Sequence, residues 1–257
     1  MKIGIIGAGR IGGTLTRRFA ALGHEVAVAN SRGPESLAGL AGETGARAVS
    51  VPEAAHFGEV VVVTIPLKNV AALPAGLLAD VPASSGNLEP PRAEQVSVAG
   101  ERSHDSGQPQ GAAQGGSELS TVAVVDTCNY YPRNRDGRIA AIEAGMPESR
   151  WVEQQLAHPV IKAFNNIFAQ HLMDRGLPEG APGRIALPVA GDDEAAKAKI
   201  MELVNQLGFD PVDAGGLDQS WRQQPGSPVY AADFDAAGVV RALAQASPER
   251  RSEWRAA

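Results

Sequence analysis

Lys2-Ile3-Gly4-Ile5-Ile6-Gly7-Ala8-Gly9-Arg10-Ile11-Gly12 decides how the rest of the chain is read. The first five residues form a short apolar run, the pattern of a buried parallel strand. A glycine-rich turn follows at once. Beyond it, Ile11, Leu15 and Phe19 recur at i, i+4 and i+8, with Leu22 closing the stripe, so an amphipathic helix is expected. Gly23-His24 makes a turn and Glu25-Val26-Ala27-Val28-Ala29 reads as a second strand. Met1 to Arg32 is therefore a strand–helix–strand unit whose first turn is G-x-G-x-x-G.

The three glycines have separate duties in such a turn. Gly7 permits the sharp exit from the strand, and Gly9, lacking Cβ, lets backbone approach a pyrophosphate seated on the helix N-terminus. Gly12 lets the helix pack closely on the sheet. This context, strand before and helix after, points to dinucleotide binding. The end of the second strand discriminates between dinucleotides. An acid there would accept hydrogen bonds from a ribose 2′-hydroxyl, but Asn30-Ser31-Arg32 offers none. Arg32 supplies a fork of donors and Ser31 a hydroxyl, a set suited to a 2′-phosphate and therefore to NADP(H).

Composition sets the outer limits. The chain has 257 residues, 44% hydrophobic and 20% charged, ordinary for a globular protein that buries a sizeable core. Its net charge of −6 argues against a nucleic-acid partner held by bulk charge. One cysteine, Cys128, excludes an internal disulfide and a thiolate metal cage, and the five histidines show no metal-ligand spacing. No metal is expected. No apolar stretch reaches membrane-spanning length and the chain opens directly on a strand, so a cytoplasmic enzyme without membrane attachment is expected. The sequence leaves a homodimer open.

Further strands follow the parallel-sheet pattern. After a short helix from Pro34 to Glu43 and a weak strand at Ala46–Val49, Ser50 and Glu53 fit a capping box. Glu59–Ile65 contains an unbroken β-branched run, expected for a central strand covered on both faces. Thr64-Ile65-Pro66 falls at its carboxyl edge, where open α/β sheets bind ligands. Thr121–Asp126 and Val160–Phe164 read as two more strands, with a helix from Pro147 to Leu156 between them. Arg184–Ala190, the helix from Glu194 capped by Gly191-Asp192-Asp193, and Phe209–Asp213 form a smaller strand–helix–strand set. From Gln219 onward a charged helical tail is expected.

Between Ala83 and Ser120, twenty of 38 residues are Gly, Pro, Ser or Gln and none is aromatic. Such a stretch buries too little apolar surface to offset its ordering entropy, so it reads as a low-complexity, disordered insertion. The expected organisation is a Rossmann-type doubly wound parallel sheet over residues 1–166, interrupted by 83–120, with a smaller α/β part over 167–257 that completes a cleft. The turns Asn129-Tyr130-Tyr131-Pro132 and Phe164-Asn165-Asn166 converge on this topology where a nicotinamide ring would lie. Their aromatics and amides either line a flat polar ring or serve packing and turn formation. No nucleophile–base pair is visible, and Lys162, lying mid-strand, reads as structural; no catalytic residue is assigned.

The residues quoted above, with Val189-Ala190-Gly191-Asp192-Asp193 and Gly208-Phe209-Asp210-Pro211-Val212-Asp213-Ala214-Gly215, resemble the coenzyme F420-dependent NADP oxidoreductases, F420 being a 5-deazaflavin. The resemblance covers the chain except Ala83–Ser120 and about the last thirty residues. It implies hydride transfer between NADP(H) and F420 in a cleft between the two parts. By matching motif it implies pyrophosphate binding by Gly7, Ala8, Gly9, Arg10, Ile11 and Gly12, and 2′-phosphate binding around Asn30 by Ser31 and Arg32. It likewise implies contacts from Thr64, Ile65 and Pro66 to the middle of the cofactor and an approach of the Asn165-Asn166 turn to both rings; with Asn129 and Tyr130 of the converging turn, these are the expected deazaflavin or substrate cleft. Two other readings stay open: an NADPH-dependent reductase of a small carbonyl or imine, and a non-catalytic NADPH-binding sensor.

Overall fold

A computed structural model describes residues 1–83 and 121–257, so the insertion expected over 83–120 lies, beyond its first residue, outside the described residues. The first sheet has six parallel strands: β1 Lys2–Ile6, β2 Glu25–Ala29, β3 Arg47–Ala48, β4 Val60–Val63, β5 Ala123–Asp126 and β6 Ile161–Lys162. Their spatial order is β3-β2-β1-β4-β5-β6, the doubly wound order expected from the sequence, with the reversal of direction between β1 and β4. Helix α1, Arg10–Ala21, connects β1 to β2; α2, Ala38–Thr44, and α3, Val51–Ala55, flank β3.

The β-branched run explains itself in the packing. Val60 and Val62 enter one apolar cluster with Ile3, Ile5, Leu15, Phe19, Val28 and Val125. Val61 and Val63 enter a second, on the opposite face, with Ile6, Ala29, Val124, Val152 and Leu156. Successive side chains of a strand point to opposite faces, so a strand covered twice must be apolar at every position. Each such valine contributes roughly 1.5–3 kcal/mol relative to exposure. Leu22 does not join the stripe of α1. It is the C-cap residue and is exposed, because the helix has already ended where a further turn would have carried it inward.

Helix α4, Ala140–Glu143, and α5, Glu148–Leu156, return the chain from β5 to β6, and α6, Ala169–Asp174, packs on α1. The second sheet pairs β7, Ala186–Val189, in parallel with β8, Asp210–Asp213, through α7, Glu194–Gln206. Asp193 caps α7 by accepting from the Ala196 amide, and Gly208 closes it with a φ of +93°. This second sheet shares the first sheet's core. Ile185, Leu187, Ile200 and Leu203 belong to the same cluster as Ile3 and Val62. The Lys162 amide donates to Ala190 O at 2.7 Å and the Ala190 amide to Lys162 O at 3.0 Å, which fastens the end of β7 beside β6. The change near residue 166 is a change of sheet within a continuous core.

The tail differs from a charged helix. Leu217–Gln223 is a 3-10 segment and α8, Ala236–Ala244, is capped by Asp235, whose side chain accepts from the Gly238 amide. Val239, Ala242 and Leu243 pack on the second sheet with Val212 and Val229, so the charges belong to its outer face. A short turn, Ser252–Trp254, follows. Among the described residues no helix is long and apolar enough to cross a membrane.

Candidate functional site

The fingerprint turn leaves β1 at the carboxyl edge of the sheet. Gly7 has a φ of +115° and its amide donates to Ala29 O at 2.8 Å. A Cβ on Gly7 would lie 2.2 Å from Thr64 O, and one on Gly12 would lie 1.8 Å from Gly7 O and 2.7 Å from Thr64 Cγ2. These two glycines are therefore demanded by packing between the turn, α1 and the end of β4. Gly9 is different: no atom lies within 4 Å of the position its Cβ would take. Packing among the described residues does not require a glycine there, while a group resting on the backbone does.

The N-terminus of α1 fits an anion for a second reason. Gly9 is its N-cap, no side chain caps it, and its first turn holds no acid. Arg10 stands at the first helical position, where a cation opposes the helix dipole unless an anion is present. Ala8 and Ile11 turn their side chains partly against the core, so their contribution to such a group is through backbone. Thr64, Ile65 and Pro66 border the same turn, half-buried.

At the end of β2, Asn30 organises the loop. Its Oδ1 accepts from the Arg32 amide at 2.9 Å and its Nδ2 donates to Ser36 Oγ at 2.9 Å, while the Ser36 hydroxyl donates to Gly33 O at 2.7 Å. Ser31 and Arg32 are exposed. Among the described residues the Arg32 guanidinium has no ion-pair partner. Asn30 thus shapes the loop, and Arg32 is left available to a ligand. Ser36 was not singled out in the sequence; a serine three residues after a loop glycine carries no signal of its own.

The ends of β5 and β6 meet over a buried polar network. Asp126 Oδ2 accepts from Lys162 Nζ at 3.0 Å and from Ser149 Oγ at 2.8 Å, and Oδ1 accepts from the Cys128 amide at 2.7 Å. Lys162 Nζ also donates to Cys128 O. Burial, with Asp126 next to it, pushes the Cys128 thiol well up, so it is an inert packed group. Beyond this network Phe164 takes a φ of +59°, an uncommon conformation for a buried aromatic residue, and turns the chain into Asn165-Asn166.

The four expected cleft residues separate into distinct roles. Tyr130 is a correction: its ring is fully buried in the second core cluster, and its hydroxyl bonds the Ile139 amide and Glu143. Side chains alternate as the chain leaves a strand, and Tyr131, not Tyr130, points away from that core. Asn129 and Asn165 bond one another. Asn129 Nδ2 donates to Asn165 O at 2.9 Å, and Asn165 Nδ2 donates to Asn129 Oδ1 at 3.1 Å and Gln223 O at 2.7 Å. Gln223 Nε2 returns a bond to Asn165 Oδ1. Asn166 differs from the other three: it is 2% exposed, yet among the described residues neither amide atom has a partner. Such a group is costly unless something else satisfies it.

Set beside known proteins, this architecture has relatives. Residues 2–88 match the family model described as NADP oxidoreductase, coenzyme F420-dependent. The family resemblance is thus borne out over that stretch, which holds every residue of the fingerprint, the Asn30–Arg32 loop and the Thr64–Pro66 turn. A 67-residue stretch is 54% identical to the protein YjhV of Escherichia coli K12; it is 26% of this chain and spans 49% of that protein. The hypothetical protein SMa0349 of Sinorhizobium meliloti superposes with a TM-score of 0.64 at 27% identity, over 91% of this chain and 95% of that one. A protein of Arthrobacter sp. FB24 described as an F420-dependent NADP reductase superposes at 0.56 and 22% identity, covering 84% and 86%, which is a likeness of fold.

Proposed function

We propose that the protein is an NADP-dependent oxidoreductase that passes hydride between NADP(H) and F420 or a flavin-like acceptor. The observation that carries the reading is the contrast within the fingerprint. Gly7 and Gly12 are filled by the protein itself, and Gly9 opens onto free space above an uncapped helix N-terminus. Gly9, Arg10 and the first amides of α1 would hold the pyrophosphate, and Arg32 with Ser31 the 2′-phosphate. Thr64–Pro66 would border the middle of the cofactor. Asn166 would meet the nicotinamide end with a carboxamide already desolvated, while Asn129 and Asn165 hold the turn in place.

When bound, the nicotinamide supplies the hydride chemistry and the acceptor ring receives it. The protein's own contribution is to orient both rings and exclude water, turning an encounter into an effectively unimolecular step. Among the described residues around Asn166, the carboxamides are not acids or bases at ordinary pH, which suits a reaction carried by the cofactors.

The family description of residues 2–88 favours F420 over a small carbonyl. We place the enzyme in the cytoplasm and expect no metal, nucleic-acid or membrane partner. The deciding experiment is NADPH oxidation by the purified protein with F420, FMN or a small carbonyl or imine as acceptor. Turnover with F420 or FMN is expected. Turnover with a carbonyl or imine alone would establish the reductase alternative, and saturable NADPH binding with no turnover the sensor.

A further inference from the structure

The last turn of the chain, outside the family resemblance, sits on the edge of the candidate cleft. Tyr131 leaves β5 two residues after Asn129, and Tyr230 precedes Ala231, whose amide donates to Asn166 O at 2.9 Å. Ala231 holds a φ of +55°, which turns this segment toward Asn166. The two tyrosine hydroxyls bond each other. Trp254 packs against both rings, with centroids 6.0 Å from Tyr131 and 6.1 Å from Tyr230. The guanidinium of Arg135 lies 4.7 Å from the Tyr131 ring centre.

The surroundings are shaped for that indole. Gly226 has a φ of +91°, and a Cβ there would lie 2.6 Å from Trp254 Cδ1, so the loop carries glycine where the ring presses. Arg133 donates to Ser252 O at 2.8 Å and to Arg255 O at 2.9 Å, and Arg251 donates to Gly226 O at 2.8 Å. These bonds read backbone carbonyls, so they fix the turn and leave the Trp254 side chain as the part that faces the tyrosines. Beside the turn runs a groove of about 1150 Å³, bordered by Glu143–Pro147, Trp221 and Gln224–Pro228. Eight of the nine buried polar atoms without a partner among the described residues fall on Asn166, on residues 220–227 and on Arg250. Buried polar groups are normally satisfied by protein or by ordered water, so their concentration here makes this a polar zone that water or a polar ligand can complete.

We infer that Trp254 is a specificity-determining residue for the acceptor. With Tyr131 and Tyr230 it forms an aromatic wall that favours a flat heterocyclic ring over a small carbonyl. The inference rests on the oxidoreductase reading and says which side of the site chooses the acceptor. The Tyr131 and Tyr230 rings, centred 6.0 and 6.1 Å from that of Trp254 and inclined to it by 46° and 74°, with a hydroxyl pair that has one proton left to donate, suit a planar ring with a polar edge that packs against the cluster and accepts a hydrogen bond. A small carbonyl has no face to stack.

The test compares the wild-type chain with Trp254→Ala, Trp254→Phe and Arg133→Ala, the last releasing the turn without touching the wall. With FMN as acceptor, Trp254→Ala should raise KM for FMN roughly tenfold or more, leave KM for NADPH unchanged, and Trp254→Phe should restore most of the loss. Independently of turnover, FMN titrated without NADPH should quench indole fluorescence saturably in the wild type. That component should shrink in Trp254→Ala, where Trp151, outside the groove, remains as an internal reference. An unchanged FMN KM and an unchanged saturable quench in Trp254→Ala would overturn the inference. If the wild type fails to oxidise NADPH with any of the acceptors offered, the oxidoreductase reading fails by itself while the quench still decides whether Trp254 meets the ring. Should Trp254→Ala not fold by circular dichroism, Trp254→Phe and Arg133→Ala decide: a weakened FMN quench in Arg133→Ala supports the wall, and full retention in Arg133→Ala with an unaltered KM refutes it.

Discussion

Lys162 and Asp126, 36 positions apart in sequence, form an ion pair of 3.0 Å with both side chains wholly excluded from solvent. The pair sits where β5 and β6 end, and Lys162 also holds Cys128 O, so the turn that leads to Asn129 and Tyr131 hangs from it. A buried pair is weak evidence of net stabilisation but strong evidence of a fixed geometry, because removing one partner strands a charge.

Lys162→Met should therefore cost about 3–5 kcal/mol in urea unfolding. A double replacement, Lys162→Met with Asp126→Asn, should recover part of that loss because no unpaired charge remains. If the double variant loses as much as the sum of the singles, the two side chains act independently and do not hold the turn together.

Arg32→Ala should weaken NADPH binding roughly tenfold to a hundredfold, since a charge-assisted hydrogen bond contributes about 1.5–3 kcal/mol. NADH, lacking the 2′-phosphate, should bind almost as before. Isothermal titration with both cofactors checks this; an equal loss for both would make Arg32 a residue of loop structure.

Gly9→Ala and Gly12→Ala should fail in opposite ways. The added methyl at Gly9 meets open space, so stability should change by no more than about 1 kcal/mol, the scale of an N-cap exchange, while NADPH affinity falls sharply. At Gly12 the methyl meets a backbone oxygen at 1.8 Å, so the melting temperature should drop whether or not cofactor is present. Thermal melts with and without NADPH separate the two.

Much of this was legible in the sequence, for reasons of period. The alternating burial of Val60–Val63 on two faces requires an unbroken apolar run, and such a run announces a central parallel strand. The order strand, G-x-G-x-x-G, helix fixes the first crossover, and the missing acid at Asn30–Arg32 is a local signal. The cleft was less legible because its contacts are long-range. Tyr131, Tyr230 and Trp254 are brought together from three separate stretches. Choosing between Tyr130 and Tyr131 required knowing where β5 ends, since one residue of shift reverses every side chain. Helix α8 did carry its cap at Asp235 and its apolar spacing at Val239 and Leu243, but only nine residues long, it was masked by the charges around it.

Glu148 allows a test by pH. Burial is the largest influence on it and raises its carboxyl above the ordinary glutamate range, against the opposing pull of Arg250 and Lys162. A raised folded value means the native state binds the proton more tightly than the unfolded chain. Its contribution to stability is then full below the ordinary glutamate range and declines as pH rises through the raised value. Glu148→Gln removes this dependence. The wild-type stability minus that of the variant should therefore fall as pH rises above the ordinary glutamate range, about pH 4. A difference that grows with pH would mean that the 2.7 Å pairing with Arg250 outweighs burial.

Asn165 and Asn166 are adjacent, both buried, and chemically identical, and their alanine variants should diverge. Asn165→Ala breaks bonds to Asn129, Gln223 O and Gln223 Nε2, leaving partners unpaired inside the protein. A loss of about 2–3 kcal/mol is expected from stranded polar groups. Asn166→Ala deletes an amide that has no partner among the described residues, so stability should hold or rise slightly. On the proposed function, in which the carboxamide orients the ring and moves no proton, the cost should instead appear with NADPH, as weaker binding and a modest fall in kcat/KM. For that reason the pH–rate profile of Asn166→Ala should keep the limbs of the wild type. A loss on the order of 10⁴ in turnover with cofactor binding intact would show instead that this turn sustains proton transfer. The carbonyl or imine reductase reading would then displace hydride transfer to a deazaflavin.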